Sequence, residues 1–127
     1  MGNGTSIGRV RGLGSAHNGA HHWLIIRYTA IGSLLLTVWF AVSLLLLPNY
    51  SFDTVREWIM RPVPATALGL FVLVNIWHAR LGIQVVLEDY VHEDANKFAS
   101  IVALNLITFA AAAFGLFCVV RLALGGA

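Results

Sequence analysis

A chain of 127 residues that is 58% hydrophobic and 11% charged, with a mean hydropathy of +0.78, is too apolar for an ordinary soluble domain of its size. Its net charge of +2 comes without a dense basic tract, so nothing supports nucleic-acid binding. The single cysteine, Cys118, excludes an internal disulfide and a cysteine-based metal site, and reads as a packing residue near the end of the last apolar run.

In chain order, residues 1–27 form a segment rich in Gly and polar side chains. It lacks the separate apolar core and small-residue cleavage site of a secretory signal, so it reads as a retained N-terminal segment. His17, His21 and His22 precede Arg27 there. A His-rich tract can bind metal, but adjacent His21 and His22 would face different ways on a helix, which favours a surface role. Arg27 opens the first apolar run, where a guanidinium can meet lipid phosphate or pair with a buried carboxylate.

Crossing a hydrocarbon core of ~30 Å takes about 20 helical residues at ~1.5 Å each. Three runs qualify, at about 28–47, 65–87 and 98–120, the second carrying His78 and Arg80 as its only ionisable groups. Pro48 and Asn49 close the first run, Pro62 and Pro64 precede the second, and Glu88, Asp89, Glu93, Asp94 and Lys97 fill the gap before the third. None alternates with period two, which excludes β-barrel strands. The expectation is an all-α integral membrane protein: residues 1–27 leading into a three-helix transmembrane domain over 28–127. Arg9, Arg11, Arg27 and Lys97 on one side against Arg56, Arg61 and Arg121 on the other favour a cytoplasmic N-terminus by a narrow margin.

The second run carries the chemistry. At ~100° per residue, Phe71, His78, Gly82 and Asp89 fall within about 40° of one line, so they share a face. His78 lies ~14 Å from the end of its run, near the bilayer midplane, where an ionisable group is costly and marks a cofactor, ion or substrate site. A neutral imidazole there can ligate a metal, haem iron included, or simply hydrogen-bond a neighbouring helix. Gly82, one turn on, would let a flat macrocycle or another helix approach. Arg80 points ~200° away and needs its own partner unless it snorkels. Two such groups on one helix imply burial within a larger complex. Asp89 and Tyr90 stand at the membrane boundary, where a tyrosine anchors the interface or donates a hydrogen bond to a carbonyl beside an orienting or proton-relaying carboxylate. His92, Glu93 and Asp94 read as solvated loop residues. There is no phosphate-binding loop and no H-E-x-x-H pair.

These residues resemble the hydrophobic membrane anchor subunits of bacterial succinate dehydrogenase, respiratory complex II. His78, Gly82 four residues on, Gln84-Val85 and Asp89-Tyr90 are similar to that family's second-helix pattern. Gly12-Leu13-Gly14-Ser15-Ala16, Gly19, His21-His22 and Arg27-Tyr28-Thr29-Ala30 are similar to its entry into the first helix. Residues 49–61 and the third run contribute only length and hydropathy, Glu88 stands where some relatives have a smaller polar residue, and Arg80 varies in kind.

The resemblance implies a helix bundle shared with a companion cytochrome b anchor subunit in the bacterial inner membrane. His78 would be one of two axial ligands to a b-type haem, the companion supplying the other. Tyr90 would hydrogen-bond ubiquinone near the cytoplasmic face with Asp89 beside it, and Arg27 would lie near the haem propionates or the quinone pocket. FAD and iron–sulfur clusters would belong to soluble partners docked on that face, a flavoprotein subunit and an iron–sulfur subunit. On this reading the chain is an anchor that does not itself oxidise succinate. The alternatives are a small transporter using His78 and Arg80 as a coupled pair, and a haem-free structural anchor of a respiratory complex.

Overall fold

A computed structural model describes residues 19–126. Their four helices are α1 (Gly19–Leu45), α2 (Phe52–Ile59), α3 (Pro62–Tyr90) and α4 (Asp94–Ala123). The three long ones are long and apolar enough to cross a membrane; α3 and α4 contain the expected runs at 65–87 and 98–120, and α1 covers the first as far as Leu45, two residues short of its expected end. At 27, 29 and 30 residues each reaches about 40 Å or more, beyond a ~30 Å hydrocarbon core. Hydropathy therefore understates them: α1 begins at Gly19, nine residues ahead of its apolar run, because helical backbone continues into the headgroup zone where His21, His22 and Arg27 are tolerated. His17 and the Gly12 to Ala16 stretch lie outside the described residues.

The punctuation acts as its chemistry dictates. Pro62 opens α3 at its first turn, where a missing N–H costs nothing. The helix α2, which hydropathy does not reveal, is set up by a polar knot. Asn49 Oδ1 accepts from the Ser51 backbone N–H and from the Ser51 and Thr54 hydroxyls, and Ser51 caps the helix by accepting from the Thr54 N–H. Its Trp58 is buried and stacks 6.0 Å from Trp39, with Phe40 at 6.3 Å. At that end of the bundle Arg56 also donates to the Gly125 carbonyl.

Register follows from matched contacts. Phe40 stacks on Phe71 at 5.2 Å, Ser33 donates to Asn75 Oδ1 at 2.7 Å and Thr29 meets His78 at 2.9 Å. Numbers rise on α1 as they fall on α3, so the two are antiparallel. Arg80 with Asn105, and Val72 against Gly115, make α3 and α4 antiparallel in the same way. A Cβ at Gly115 would sit 2.7 Å from a Val72 methyl, and a β-branched side chain on a helix cannot swing aside. The α3–α4 approach thus requires glycine there.

Helix α3 packs on both α1 and α4, while α1 and α4 do not pack on each other. Among the described residues only Trp58, Leu81 and Leu104 are buried, and many large apolar side chains are exposed. The three spans form a layer whose remaining apolar surface needs lipid or further helices to cover it.

Candidate functional site

The site is built on the α1–α3 seam. Along α1, Thr29, Ser33 and Thr37 carry hydroxyls at intervals of four residues, which keeps them near one line on the helix. Ser33 pairs with Asn75, whose Nδ2 donates back to the Phe71 carbonyl at 2.8 Å. One turn further on, the Thr29 hydroxyl lies 2.9 Å from His78 Nδ1 and within 2.9 and 3.0 Å of the Ile25 and Ile26 carbonyls. His78 is thus held from the side at half-burial, its Nδ1 edge occupied and its Nε2 edge turned the other way. At Gly82 no heavy atom of a neighbouring element lies within 4 Å of where a Cβ would stand. The wall one turn from His78 is flat and open.

The shared face read from the sequence is confirmed for Phe71 and His78, which both meet α1. Arg80 turns the other way: its Nε donates to Asn105 Oδ1 on α4 at 2.8 Å and its guanidinium lies 5.5 Å from the Trp77 ring centroid. Trp77 stands nearer the start of α3, so Arg80 does not snorkel toward the Tyr90 end. It is retained at depth by an amide and an indole face. A cavity of about 530 Å³ between α3 and α4, lined by Trp77, Arg80, Asn105, Thr108, Phe109 and Leu116 among others, lies on this far side. It does not include His78.

Asp89 and Tyr90 close α3, Tyr90 with 79% of its surface exposed. The 12 residues from His78 to Tyr90 span ~18 Å of helix, which separates a midplane group from one at the membrane edge. Nearby, Gln84 donates to the Glu88 carboxylate at 2.8 Å and Asn96 to that of Glu93 at 2.6 Å, an acidic rim of exposed side chains that includes Asp89, His92 and Asp94. Arg27 is exposed, with its guanidinium 4.7 Å from the ring centroid of Trp23 on the same helix. Two residues from Thr29, it sits ~200° around α1 from the line that meets His78. The chain alone brings His78 to Thr29, and leaves Arg27, Asp89 and Tyr90 on open surface.

His21 is exposed, as a surface reading expects, but His22 is half-buried. Its Nε2 is enclosed without a hydrogen-bond partner among the described residues. Seven residues before Thr29, it lies on the same face of α1. Cys118 is a half-buried free thiol in the last third of α4, consistent with packing.

Over residues 1–112 the chain matches the family described as succinate dehydrogenase/fumarate reductase transmembrane subunit. The chain belongs to that family. Among curated relatives, the succinate dehydrogenase hydrophobic membrane anchor subunit of Rickettsia conorii is 35% identical, over 85% of this chain and 91% of its own length. That of Rickettsia bellii is 33% identical over 80% and 82%, and that of Paracoccus denitrificans 29% identical over 91% and 89%. No solved structure matches. The membership agrees with the three spans and makes the chain a multi-pass membrane anchor subunit of succinate dehydrogenase, part of a complex with other subunits.

Three features escaped the sequence reading. Thr29 was legible in principle, since its hydroxyl recurs with Ser33 four residues on and Asn75 and His78 stand three apart on α3, both one-turn spacings, but pairing the two stripes needs the helix register. Asn105 as the partner of Arg80 and the inward turn of His22 had no comparable signal.

Proposed function

We propose that this chain, with a companion cytochrome b anchor subunit, holds an iron–sulfur subunit and an FAD-carrying flavoprotein subunit on the bacterial inner membrane, as a succinate:ubiquinone oxidoreductase. In it His78 is one axial ligand to a b-type haem and Tyr90, with Asp89, meets the quinone head group.

The observation that carries this reading is the His78 environment. The imidazole is clamped through Nδ1 from α1, its other nitrogen faces away, and Gly82 leaves flat open space one turn along. Among the described residues no three His, Cys, Asp or Glu side chains gather to hold a bare ion. A single ligand from this chain suits a macrocycle that brings four of its own nitrogens and takes its sixth ligand from a partner. When bound, a b-type haem supplies one-electron transfer and storage at mid-membrane.

The remaining steps belong to the protein. Reduction of ubiquinone to ubiquinol takes two electrons from the iron–sulfur centres and two protons. The Tyr90 phenol donates to a quinone carbonyl, and Asp89 orients it or relays protons at the aqueous edge. The exposure of Tyr90 is then the half of a pocket that other subunits complete. Arg27 stands at the same end but faces ~200° away from the line that meets His78, so a role at haem propionates or the quinone pocket would have to come across a boundary with another subunit. A cytoplasmic N-terminus puts Gly19, Tyr90 and Asp94 on the side where electrons arrive; the charge bias of the loops favours that orientation. Coupled transport through His78 and Arg80 loses its premise, because the two side chains engage Thr29 and Asn105 on opposite sides of α3.

Isolation of the tagged chain from native membranes in mild detergent tests the proposal. It should retain flavoprotein, iron–sulfur and companion anchor subunits, with haem b measurable by pyridine haemochrome. A chain that isolates without them, or a complete complex free of haem, would contradict it.

A further inference from the structure

The three polar atoms around the Thr29 hydroxyl decide where its proton goes. The Ile25 and Ile26 carbonyls, at 2.9 and 3.0 Å, can only accept, and a hydroxyl has one hydrogen. Were that hydrogen given to His78 Nδ1, the Thr29 lone pairs would face two carbonyl oxygens at contact distance. Donation to the carbonyls removes that repulsion and turns a lone pair toward the ring, so at the 2.9 Å contact His78 Nδ1–H is the donor. In its neutral form the ring is then the tautomer with an unprotonated Nε2, the form that binds iron through Nε2. The acceptor is a neutral hydroxyl rather than a carboxylate, so it lends the imidazole only modest extra basicity. It also sits on a different helix, on a β-branched side chain anchored to its own backbone, which restrains the plane of the ring.

We propose that Thr29 is a positioning residue for the haem ligand, fixing the tautomer, ring plane and donor strength of His78 from the neighbouring helix. This rests on the reading of His78 as an axial ligand.

The purified complex carrying Thr29→Val, Thr29→Ala, Thr29→Ser or His78→Ala separates the two ideas. The readouts are haem per flavin by pyridine haemochrome, the haem midpoint potential by redox titration, and the low-temperature EPR spectrum of the oxidised haem. Thr29→Val keeps the side-chain shape and deletes the acceptor. It should weaken haem retention about tenfold, the lower end for losing a group that orients a metal ligand. The haem that remains should have a raised potential, since a less basic imidazole favours the ferric state less, and altered EPR lines. Thr29→Ser should restore wild-type values.

Wild-type potential and EPR in Thr29→Val overturn the proposal, provided His78→Ala is haem-free; haem retained in His78→Ala overturns the ligand assignment itself. If Thr29→Val and Thr29→Ala both lose all haem, recovery in Thr29→Ser supports the hydroxyl, and failure there assigns the effect to packing and overturns it.

Discussion

Replacing His78 with alanine is expected to remove haem b from the complex while leaving its subunits assembled. His78 is the only histidine within the three apolar runs, so no nearby imidazole on this chain can substitute at that depth. Deleting an axial ligand should cost at least the tenfold or so in affinity that losing an orienting neighbour costs. Assembly should survive, because among the described residues the one polar contact of His78 is with Thr29, and such interhelical bonds are worth about 1 kcal/mol. Pyridine haemochrome normalised to flavin, with subunits followed on a gel, checks both halves. Normal haem content would remove His78 from the coordination sphere.

Tyr90→Phe should separate quinone reduction from succinate oxidation. The change removes one hydroxyl at the open end of α3, where exposure is 79%, so the fold has little reason to respond. If the phenol donates to a quinone carbonyl, its loss costs about 1 kcal/mol, or roughly a fivefold fall in quinone reductase activity. Succinate oxidation with an artificial acceptor that draws electrons before the membrane should be unchanged. Quinone kinetics identical to wild type would remove Tyr90 from the site.

The two effects fall on one helix ~18 Å apart, the arrangement the sequence already implied. Hydropathy locates three spans because lipid demands it, and His78 with Gly82 and Phe71 on one face follows from helical period alone. What the residues could not disclose was set by partners in space. Thr29 became significant only once α1 and α3 were in register. Arg80, which needed a partner by charge, obtained it from Asn105 and Trp77, residues with no distinguishing pattern around them. The short helix α2 escaped because eight residues with one buried tryptophan leave no span-length hydropathy signal, although Asn49, Ser51 and Thr54 carried its start. Except at Leu45, where α1 stops short of Pro48, helix ends overran the apolar runs, since backbone hydrogen bonding does not stop where hydrocarbon does. Tyr90 and Arg27 stand open for a further reason: a site at a subunit boundary is only partly encoded in one chain.

The most direct test of His78 as a haem ligand is the axial ligation of the haem in a His78→Met complex, read by near-infrared magnetic circular dichroism alongside the redox potential. A thioether in place of one imidazole should convert a two-histidine signature to a histidine–methionine one and raise the potential. An unchanged two-histidine spectrum from a fully loaded His78→Met complex would contradict the assignment.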